Sequence, residues 1–150
     1  MNHESSRELV PLHIAILTVS DSRTEADDTS GALLVERAEQ TGHCVHARTI
    51  VKDDVYGIRA VVSAWIADPS CEVVICTGGT GVTGRDGTPE AITVLLDKEI
   101  EGFGEIFRSI SYDEIGTSSL QSRCLAGVAN GTYVFCLPGS TSACATAWDK

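Results

Sequence analysis

Short apolar runs alternate with segments of helical spacing along this chain. Residues 12–20 are mostly apolar and rich in branched side chains, and the polar cluster 21–30 ends the run. A short run without polar alternation is typical of a strand buried on both faces, as in a parallel sheet. Apolar residues at helical spacing then predict a helix over residues 31–41, with Ser30 as its N-cap and Gly42 as its end.

The same alternation continues through the middle of the chain. The predicted elements there are a strand over 43–51, a helix over 56–66, a strand over 72–76, a glycine-rich loop over 77–87 and a helix over 88–97. Asp53 or Asp54 can cap the first of these helices, which ends before Pro69. Pro89 suits the first turn of the second helix, where a missing amide hydrogen costs nothing.

The pattern between residues 98 and 130 is less regular. We predict two helices there, over 104–110 and 118–129, joined by the loop 111–118. A turn at Asn130-Gly131 then leads into a fourth buried strand over 132–137. The final predicted helix contains Ala143, Ala147 and Trp148, and we expect it to continue beyond residue 150. Strands and helices that alternate with short loops predict an α/β fold, a three-layer sandwich with a mostly parallel central sheet.

The composition narrows the classes of function. A chain of 150 residues has the size of one domain, and we expect residues 1–150 to form one domain with a flexible tail over 1–10. The formal net charge of −10 disfavours binding to nucleic acid, because the field of the whole protein repels phosphate. No apolar run reaches the roughly 18 residues of a membrane-spanning helix, and the first residues lack a signal-peptide pattern. We therefore expect a cytoplasmic protein.

Six cysteines raise the question of metal or disulfide chemistry. No pair has the C-x-x-C spacing of a zinc or redox site, and several lie in apolar runs, so we expect small buried side chains in a reducing compartment. The segment His43-Cys44-Val45-His46 contains metal-ligand residue types. In a strand, however, only Cys44 and His46 share a face, which gives at most half a metal site.

The strongest local signal is TGGTGVTGRDGTPEA, residues 77–91, which follows a strand and opens into a helix. Five glycines within ten residues let backbone amides approach an anion closely, and the helix N-terminus adds partial positive charge. Arg85 can neutralise phosphate oxygens, and Asp86 can hold a divalent cation. A tight chain reversal without a ligand is the alternative. The segment lacks a Walker A motif and a G-x-G-x-x-G fingerprint, which disfavours kinases and dehydrogenases.

The position of this segment in the predicted sheet points to the same conclusion. Ligands of open α/β sheets bind beyond the carboxyl ends of the strands, which here are followed by the loops 19–30, 51–54, 77–89 and 137–141. The residues by themselves predict a nucleotide or another phosphorylated ligand.

Four segments resemble the MoaB/MogA family of molybdenum-cofactor biosynthesis proteins, in the family's order. They are LTVSDSRTEADDTSG at 17–31, TGGTGVTGRDGTPEA at 77–91, GFGEIFRSISYDEIGTSSLQSRCLAGV at 102–128 and LPGSTSACATAW at 137–148. Residues 50–67 are also similar to the bacterial MoaB branch, so the resemblance covers nearly all of the chain after residue 11.

The resemblance implies a role in molybdenum-cofactor biosynthesis, as a molybdopterin adenylyltransferase. In that reaction the terminal phosphate of molybdopterin attacks the α-phosphate of Mg-ATP, giving adenylylated molybdopterin and pyrophosphate. The implied cofactors and ligands are Mg²⁺, ATP and molybdopterin, and the implied partners are further copies of the chain, in a homotrimer or homohexamer, and other molybdenum-cofactor enzymes. Repulsion between two phosphates is the main obstacle, so the protein must hold both in line and neutralise their charge.

The family's functional residues can be placed by motif. Asp86 is implied as the catalytic acid that positions magnesium, with Asp53 as the second catalytic acid. Asp54 is an alternative to Asp53, and helix capping is an alternative role for both. The implied nucleotide-binding residues are Ser20, Asp21, Thr77, Gly78, Gly79, Thr80, Gly81 and Arg85. The implied pterin-side residues are Ser122, Arg123, Pro138, Gly139 and Ser140.

Some of these positions have other interpretations. Arg123 could form a surface salt bridge instead of gripping a phosphate. Phe103, Phe107, Ile110 and Tyr112 have the spacing of a helix that packs on the core or on another subunit, and in the family this segment contributes to subunit contacts.

Two other functions stay open at this point. One is a molybdopterin-binding or scaffolding member without catalysis, and the other is an oligomeric interaction module with a vestigial site. Gly87 stands where a valine is common in the active branch, which can loosen the helix start, whereas Arg85 and Asp86 are both present.

Overall fold

The structure, a computed structural model, describes residues 8–150. The strands are β1 (His13–Val19), β2 (Cys44–Val51), β3 (Val73–Thr77), β4 (Lys98–Glu99), β5 (Leu125–Ala129) and β6 (Thr132–Leu137). The helices are α1 (Thr29–Thr41), α2 (Val55–Ala67), α3 (Thr88–Thr93), α4 (Glu101–Ile115) and α5 (Thr141–Asp149), and a 3₁₀ segment over Gly116–Gln121 follows α4. Of the expected tail over 1–10, residues 1–7 lie outside the described residues, and residues 8–10 are exposed without regular structure.

The six strands form one sheet in the order β2-β1-β3-β6-β5-β4. The strands β2, β1, β3 and β6 are parallel, and β5 and β4 complete one edge with antiparallel pairing. The predicted α/β fold with a mostly parallel sheet is therefore confirmed. The chain leaves β1 towards β2 and returns to β3 on the other side of β1, so the loops after β1 and β3 separate at a topological switch point, where open α/β sheets bind ligands.

Helices cover both faces of the sheet. The side chains of Leu17 and Val19 on β1 pack with α2 and α3, through residues such as Ile58 and Ile92. On the other face Ile16 packs with α1 and α5. Burial of the strands on both faces explains why their sequences are short uninterrupted apolar runs.

The prediction of two helices between residues 98 and 130 was wrong. The expected loop 111–118 begins inside α4, which runs without interruption from Glu101 to Ile115. The second predicted helix is instead the 3₁₀ segment followed by the strand β5, which pairs with β6 from Leu125↔Cys136 to Ala129↔Thr132. A cross-strand partner stabilises this short apolar segment as a strand, and such pairing leaves no local periodic pattern.

Smaller differences concern helix ends. Asp28, and not Ser30, is the N-cap of α1, since its side chain accepts a hydrogen bond from the Gly31 amide. The helix α3 ends at Thr93 rather than Asp97. Asp54 caps α2 by accepting a hydrogen bond from the Gly57 amide at 2.7 Å. The αL residue Gly42 ends α1 as predicted.

The cysteine and histidine predictions can be compared with their environments. Cys71, Cys76, Cys136 and Cys144 are buried, Cys124 is half-buried and Cys44 is exposed, and all six are free thiols. The Nε2 of His46 lies 3.1 Å from Asp68 Oδ2. No helix within residues 8–150 is long and apolar enough to cross a membrane.

Candidate functional site

The glycine-rich loop turns sharply at the carboxyl end of β3. Gly78 and Gly79 have φ angles of 95° and 67°, which disfavour other residues. A Cβ atom on Gly78 would lie 2.2 Å from the carbonyl oxygen of Val19. The Gly78 amide donates to the Leu137 carbonyl at 3.1 Å, and the Thr88 hydroxyl donates to the Gly78 carbonyl at 2.8 Å. Glycine is therefore required here for close approach to the ends of β1 and β6.

This turn forms one wall of a cavity that we call the glycine hollow. The cavity has a volume of about 270 Å³ and lies beyond the carboxyl ends of β1, β3 and β6. Its walls include Ser20, Arg23, Gly78, Gly79, Gly139 and Ser140. Ser140 is also the N-cap of α5, where its hydroxyl accepts a hydrogen bond from the Ala143 amide at 3.1 Å. The cavity thus combines a guanidinium, glycine backbone and the positive end of a helix, which together suit an anion.

Asp53 lies beside this turn and is buried. Its Oδ1 accepts a hydrogen bond from the Gly87 amide at 3.1 Å, and it has only 8% of its surface exposed. Burial raises the pKa of the Asp53 carboxyl, and the nearby charges of Asp86 and Asp21 raise it further, against the lowering effect of the Gly87 amide. A buried carboxylate under this repulsion has a high affinity for a cation or a proton.

Asp86 lies on the glycine-rich loop itself. Its Oδ2 accepts hydrogen bonds from the Thr83 hydroxyl at 2.7 Å and the Thr83 amide at 3.0 Å. The Thr83 hydroxyl bond keeps the pKa of Asp86 below its usual value, although partial burial opposes that shift. Asp86 is therefore ionised at neutral pH, and it closes its own loop instead of lining the glycine hollow.

These acids fit a magnesium ion that is shared with a phosphorylated ligand. Within the described residues no three His, Cys, Asp or Glu side chains gather closely enough to hold a metal by themselves. Magnesium commonly takes only one or two protein carboxylates, and substrate phosphates and water supply the remaining oxygens. Asp53 and Asp86, which repel each other, are a suitable pair of carboxylates.

Arg85 and Asp21 form a bidentate ion pair between the glycine-rich loop and the loop after β1. Arg85 donates from Nε to Asp21 Oδ2 at 3.1 Å and from NH2 to Oδ1 at 2.9 Å. The side chains are 67% and 45% exposed, so the pair is weak and Arg85 can exchange Asp21 for a phosphate at little cost. Asp21 also accepts a hydrogen bond from the Asp53 amide at 3.1 Å, which connects the loop after β1 with the loop after β2.

Arg123 binds the carbonyls of the glycine-rich loop. Its Nε donates to the Thr80 and Gly81 carbonyls, both at 3.0 Å, and NH2 donates to the Asp86 carbonyl at 3.4 Å. NH1 pairs with Glu90 on α3. The guanidinium therefore fixes the conformation of the loop that carries Asp86.

The other positions singled out by the sequence divide into two groups. Thr77 supports the cavity from below, where its hydroxyl donates to the Pro138 carbonyl at 2.9 Å. Ser20, Thr77, Gly78, Gly79, Gly139 and Ser140 line the glycine hollow, whereas Ser122 is half-buried away from it.

Residues 15–150 match the sequence profile of a family described as a probable molybdopterin binding domain. The chain belongs to this family. The molybdenum cofactor biosynthesis protein B of Escherichia coli K12 is 58% identical over 145 residues, which cover 97% of this chain and 85% of that protein. The protein of the same name from Bacillus subtilis is 46% identical over 136 residues, covering 90% and 80% of the two chains.

Solved structures of the molybdopterin binding domain family have the same fold. A crystal structure of molybdenum cofactor biosynthesis protein B superposes with a TM-score of 0.91 at 46% identity, covering 94% of this chain and 88% of the other. The tungsten cofactor synthesizing protein MoaB from Pyrococcus furiosus superposes with a TM-score of 0.85 at 37% identity, covering 95% and 91%. The resemblance to the MoaB/MogA family is confirmed.

Three residues near the site were not predicted from the sequence of this family member. Arg23 lines the glycine hollow, and the buried carboxylate of Asp28 lies 3.8 Å from its NH1. Arg48 on β2 donates to the same carboxylate at 3.3 Å. Asp28 lies in a polar segment that is typical of an exposed loop. Its burial depends on contacts with residues far away in the chain, such as Arg48, and these cannot be recognised from the local sequence. The acidic segment DD at 27–28 was the only available signal.

The environment of Asp53 predicts a stabilising substitution. We expect Asp53→Asn to raise the melting temperature by roughly 2–4 °C at pH 7, because it removes a buried carboxylate repelled by Asp86 and Asp21. The raised pKa means that ionised Asp53 opposes folding above its folded-state pKa. The difference in melting temperature between Asp53→Asn and the wild type should therefore shrink as the pH falls towards 3.8, where Asp53 is protonated.

Differential scanning fluorimetry between pH 4 and pH 8 measures this effect. Asp54→Asn is the matched control, since the asparagine keeps the α2 cap and Asp54 is exposed. A melting temperature that falls with Asp53→Asn would show that Asp53 is a structural residue rather than a strained functional one.

Proposed function

We propose that this protein is a molybdopterin adenylyltransferase of the molybdenum-cofactor pathway. The terminal phosphate oxygen of molybdopterin attacks the α-phosphorus of ATP, a new P–O bond forms, and the bond to the β-phosphate bridging oxygen breaks. Adenylylated molybdopterin and pyrophosphate are the products. The names of the relatives support the pathway and the pterin, and the chemistry of the site supports the transfer.

The glycine hollow is the observation that carries this proposal. It lies at the switch point of the sheet, Gly78 and Gly79 form one of its walls, and Arg23 and the N-terminus of α5 contribute positive charge. Phosphate oxygens suit such a cavity because amides and guanidinium groups donate to them without reorganisation. The chain has a net charge of −10, so these local donors must overcome an overall repulsion of phosphate.

The acids beside the hollow suit a reaction between two phosphates. Asp53 and Asp86 would hold magnesium, which when bound supplies positive charge to the phosphate oxygens. Arg85, released from Asp21, can neutralise a further phosphate oxygen. Arg123 keeps the loop in the conformation that Asp86 needs, and Thr80 and Gly81 support it through their carbonyls. The family resemblance assigns Ser122, Pro138, Gly139 and Ser140 to the pterin side; Gly139 and Ser140 line the hollow itself, and Ser122 lies outside it.

We also propose that the protein acts as a homo-oligomer, a trimer or hexamer. The helix α4 exposes large apolar side chains, with Ile106 65%, Tyr112 58% and Ile115 54% exposed. Phe103 and Phe107 face inwards instead, where Phe103 packs on Phe135 with ring centroids 5.3 Å apart. Exposed apolar surface of this kind is typical of subunit contacts.

Release of pyrophosphate tests the proposed reaction. Purified protein with molybdopterin and Mg-ATP should release pyrophosphate, which a coupled pyrophosphatase assay detects, at a rate that depends on both substrates. Omission of molybdopterin is the control for ATP hydrolysis. Binding of molybdopterin without release of pyrophosphate would contradict the enzyme and favour a carrier, and absence of binding would favour an interaction module.

A further inference from the structure

A second cavity lies next to the glycine hollow, between the loop after β1 and the carboxyl end of β2. It has a volume of about 520 Å³, and three basic side chains, Arg23, Arg48 and Lys52, line it. We call it the basic hollow. The chain has only 11 Lys and Arg against 21 Asp and Glu, so three basic residues around one cavity are a local exception to the acidic surface.

The buried Asp28 orients the two arginines. The NH2 of Arg48 donates to the Asp28 carboxylate at 3.3 Å and to its carbonyl at 3.2 Å. The NH1 of Arg23 donates to the Ser30 hydroxyl at 3.2 Å and lies 3.8 Å from Asp28 Oδ1. Asp28 is 1% exposed, so it holds both guanidinium groups from the protein side, while the two arginine side chains line the cavity.

Arg48 also has a donor without an acceptor. Its Nε is buried and makes no hydrogen bond to any residue of the described range 8–150. Buried donors are nearly always satisfied, and leaving one unpaired costs free energy. Arg48 also lines the basic hollow, so an anion there would lie beside a guanidinium group whose hydrogen bonds are incomplete.

Two acids line the same cavity and reduce its charge. Asp21 is bound through both oxygens by Arg85, so its negative charge is largely compensated. Glu25 is exposed and lies in a turn of polar residues. With their ion-pair partners counted, four basic side chains (Arg23, Arg48, Lys52 and Arg85) stand against three acids (Asp21, Glu25 and Asp28), so the cavity keeps a surplus of one positive charge.

We propose that the basic hollow binds the pyrophosphate portion of a nucleoside triphosphate, with Arg23 bridging it to the glycine hollow. Arg23 and Ser20 line both cavities, so a polyphosphate chain can cross from one to the other past the same guanidinium. A guanidinium binds two phosphate oxygens at once, and the Lys52 ammonium adds a mobile point charge. The assignment to the leaving pyrophosphate rests on the proposed AMP transfer, since that reaction separates the α-phosphate from the β- and γ-phosphates.

Calorimetric titration with inorganic pyrophosphate tests this assignment without turnover, molybdopterin or magnesium. The wild-type protein should bind pyrophosphate, and Arg23→Gln and Lys52→Gln should each weaken binding by about fivefold or more. Lys98→Gln is the matched control, because it changes the net charge equally and lies exposed on β4 at one edge of the sheet, away from β2. We expect it to change the affinity by less than about twofold. Arg23 is 35% exposed, and thermal unfolding should show that its variant is folded.

The outcomes separate this assignment from the proposed function. Pyrophosphate binding that needs Arg23 and Lys52 supports the assignment even if the protein transfers no AMP. A wild-type protein that does not bind pyrophosphate overturns it, and so does equal weakening by all three substitutions. If AMP transfer occurs while Arg23→Gln leaves pyrophosphate affinity unchanged, the assignment fails and the proposed function stands.

Discussion

Asp86→Asn should slow pyrophosphate release from molybdopterin and Mg-ATP by at least ~100-fold, which corresponds to about 3 kcal/mol on the barrier. Asparagine keeps an oxygen for the Thr83 amide and hydroxyl, so the loop should retain its conformation. What it removes is a full negative charge, which the low pKa of Asp86 maintains at neutral pH. The substitution therefore isolates the charge from the shape of the loop.

A magnesium titration adds a second measurement. The Asp86→Asn variant should need a higher magnesium concentration for its half-maximal rate than the wild type. Asp113→Asn, an exposed acid on α4, is the control with an equal change in charge. An Asp86→Asn protein with the wild-type rate and magnesium dependence would remove this residue from the mechanism and leave Asp53 as the candidate metal ligand.

Asp28→Asn should lower the free energy of unfolding by about 3 kcal/mol at pH 7. Asp28 accepts hydrogen bonds from the Thr18 hydroxyl at 2.7 Å, the Gly31 amide at 2.9 Å and Arg48 at 3.3 Å. Asparagine leaves the two arginines without their buried counter-charge. For a domain of this size the expected fall in melting temperature is roughly 6–12 °C.

The pH dependence of this loss has a definite sign. Burial alone would raise the pKa of Asp28, but the hydrogen bonds from Thr18, Gly31 and Arg48 outweigh it and lower the pKa. A lowered pKa gives stability that is present above the unfolded value of 3.8 and is lost as the pH falls through the folded-state pKa. The difference in the free energy of unfolding between the wild type and Asp28→Asn should therefore shrink below pH 3.8.

Urea unfolding followed by tryptophan fluorescence, at neutral pH and below pH 3.8, measures the free energy of unfolding and its pH dependence. Asp27→Asn is the neighbouring control, because Asp27 is exposed and bonds only within its own turn, to Thr24. We expect that control to change stability by less than about 0.5 kcal/mol. A loss of similar size in both variants would mean that Asp28 acts as an ordinary turn residue.

The parallel part of the sheet could be predicted because its strands are buried on both faces. The strand β6 has the predicted boundaries, 132–137; β2 differs from prediction by one residue at its start, and β1 and β3 differ by one residue at each end. Such burial requires an apolar residue at nearly every position, and that requirement is visible in a single sequence.

The strand β5 could not be predicted for a physical reason. Its stability comes from pairing with β6 and from Gly127, where a Cβ atom would lie 2.5 Å from Leu96 Cδ1 and 2.6 Å from the Lys98 carbonyl oxygen. Both contacts involve residues that are not its neighbours within the segment. The local spacing of apolar residues from Leu120 to Val128 is compatible with a helix, so local reasoning gave the wrong answer.

The candidate site shows the same division. The glycine-rich turn stands out in the sequence because Gly78 and Gly79 must adopt positive φ angles. The roles of Asp28, Arg23 and Arg48 depend on contacts between residues 20 positions apart or on burial, and neither leaves a local pattern.

The strand order has a consequence for the assembly of the site. The last strand, β6, lies between β3 and β5, and the glycine hollow is lined by residues from Thr18 to Ser140. Arg123 fixes the carbonyl of Thr80, a residue 43 positions earlier in the chain. A nascent polypeptide in which β6 has not yet been synthesised therefore has neither the complete sheet nor the cavity. The fold and the ligand site should therefore be completed together, late in synthesis. A ligand can stabilise the protein only after this last step of folding.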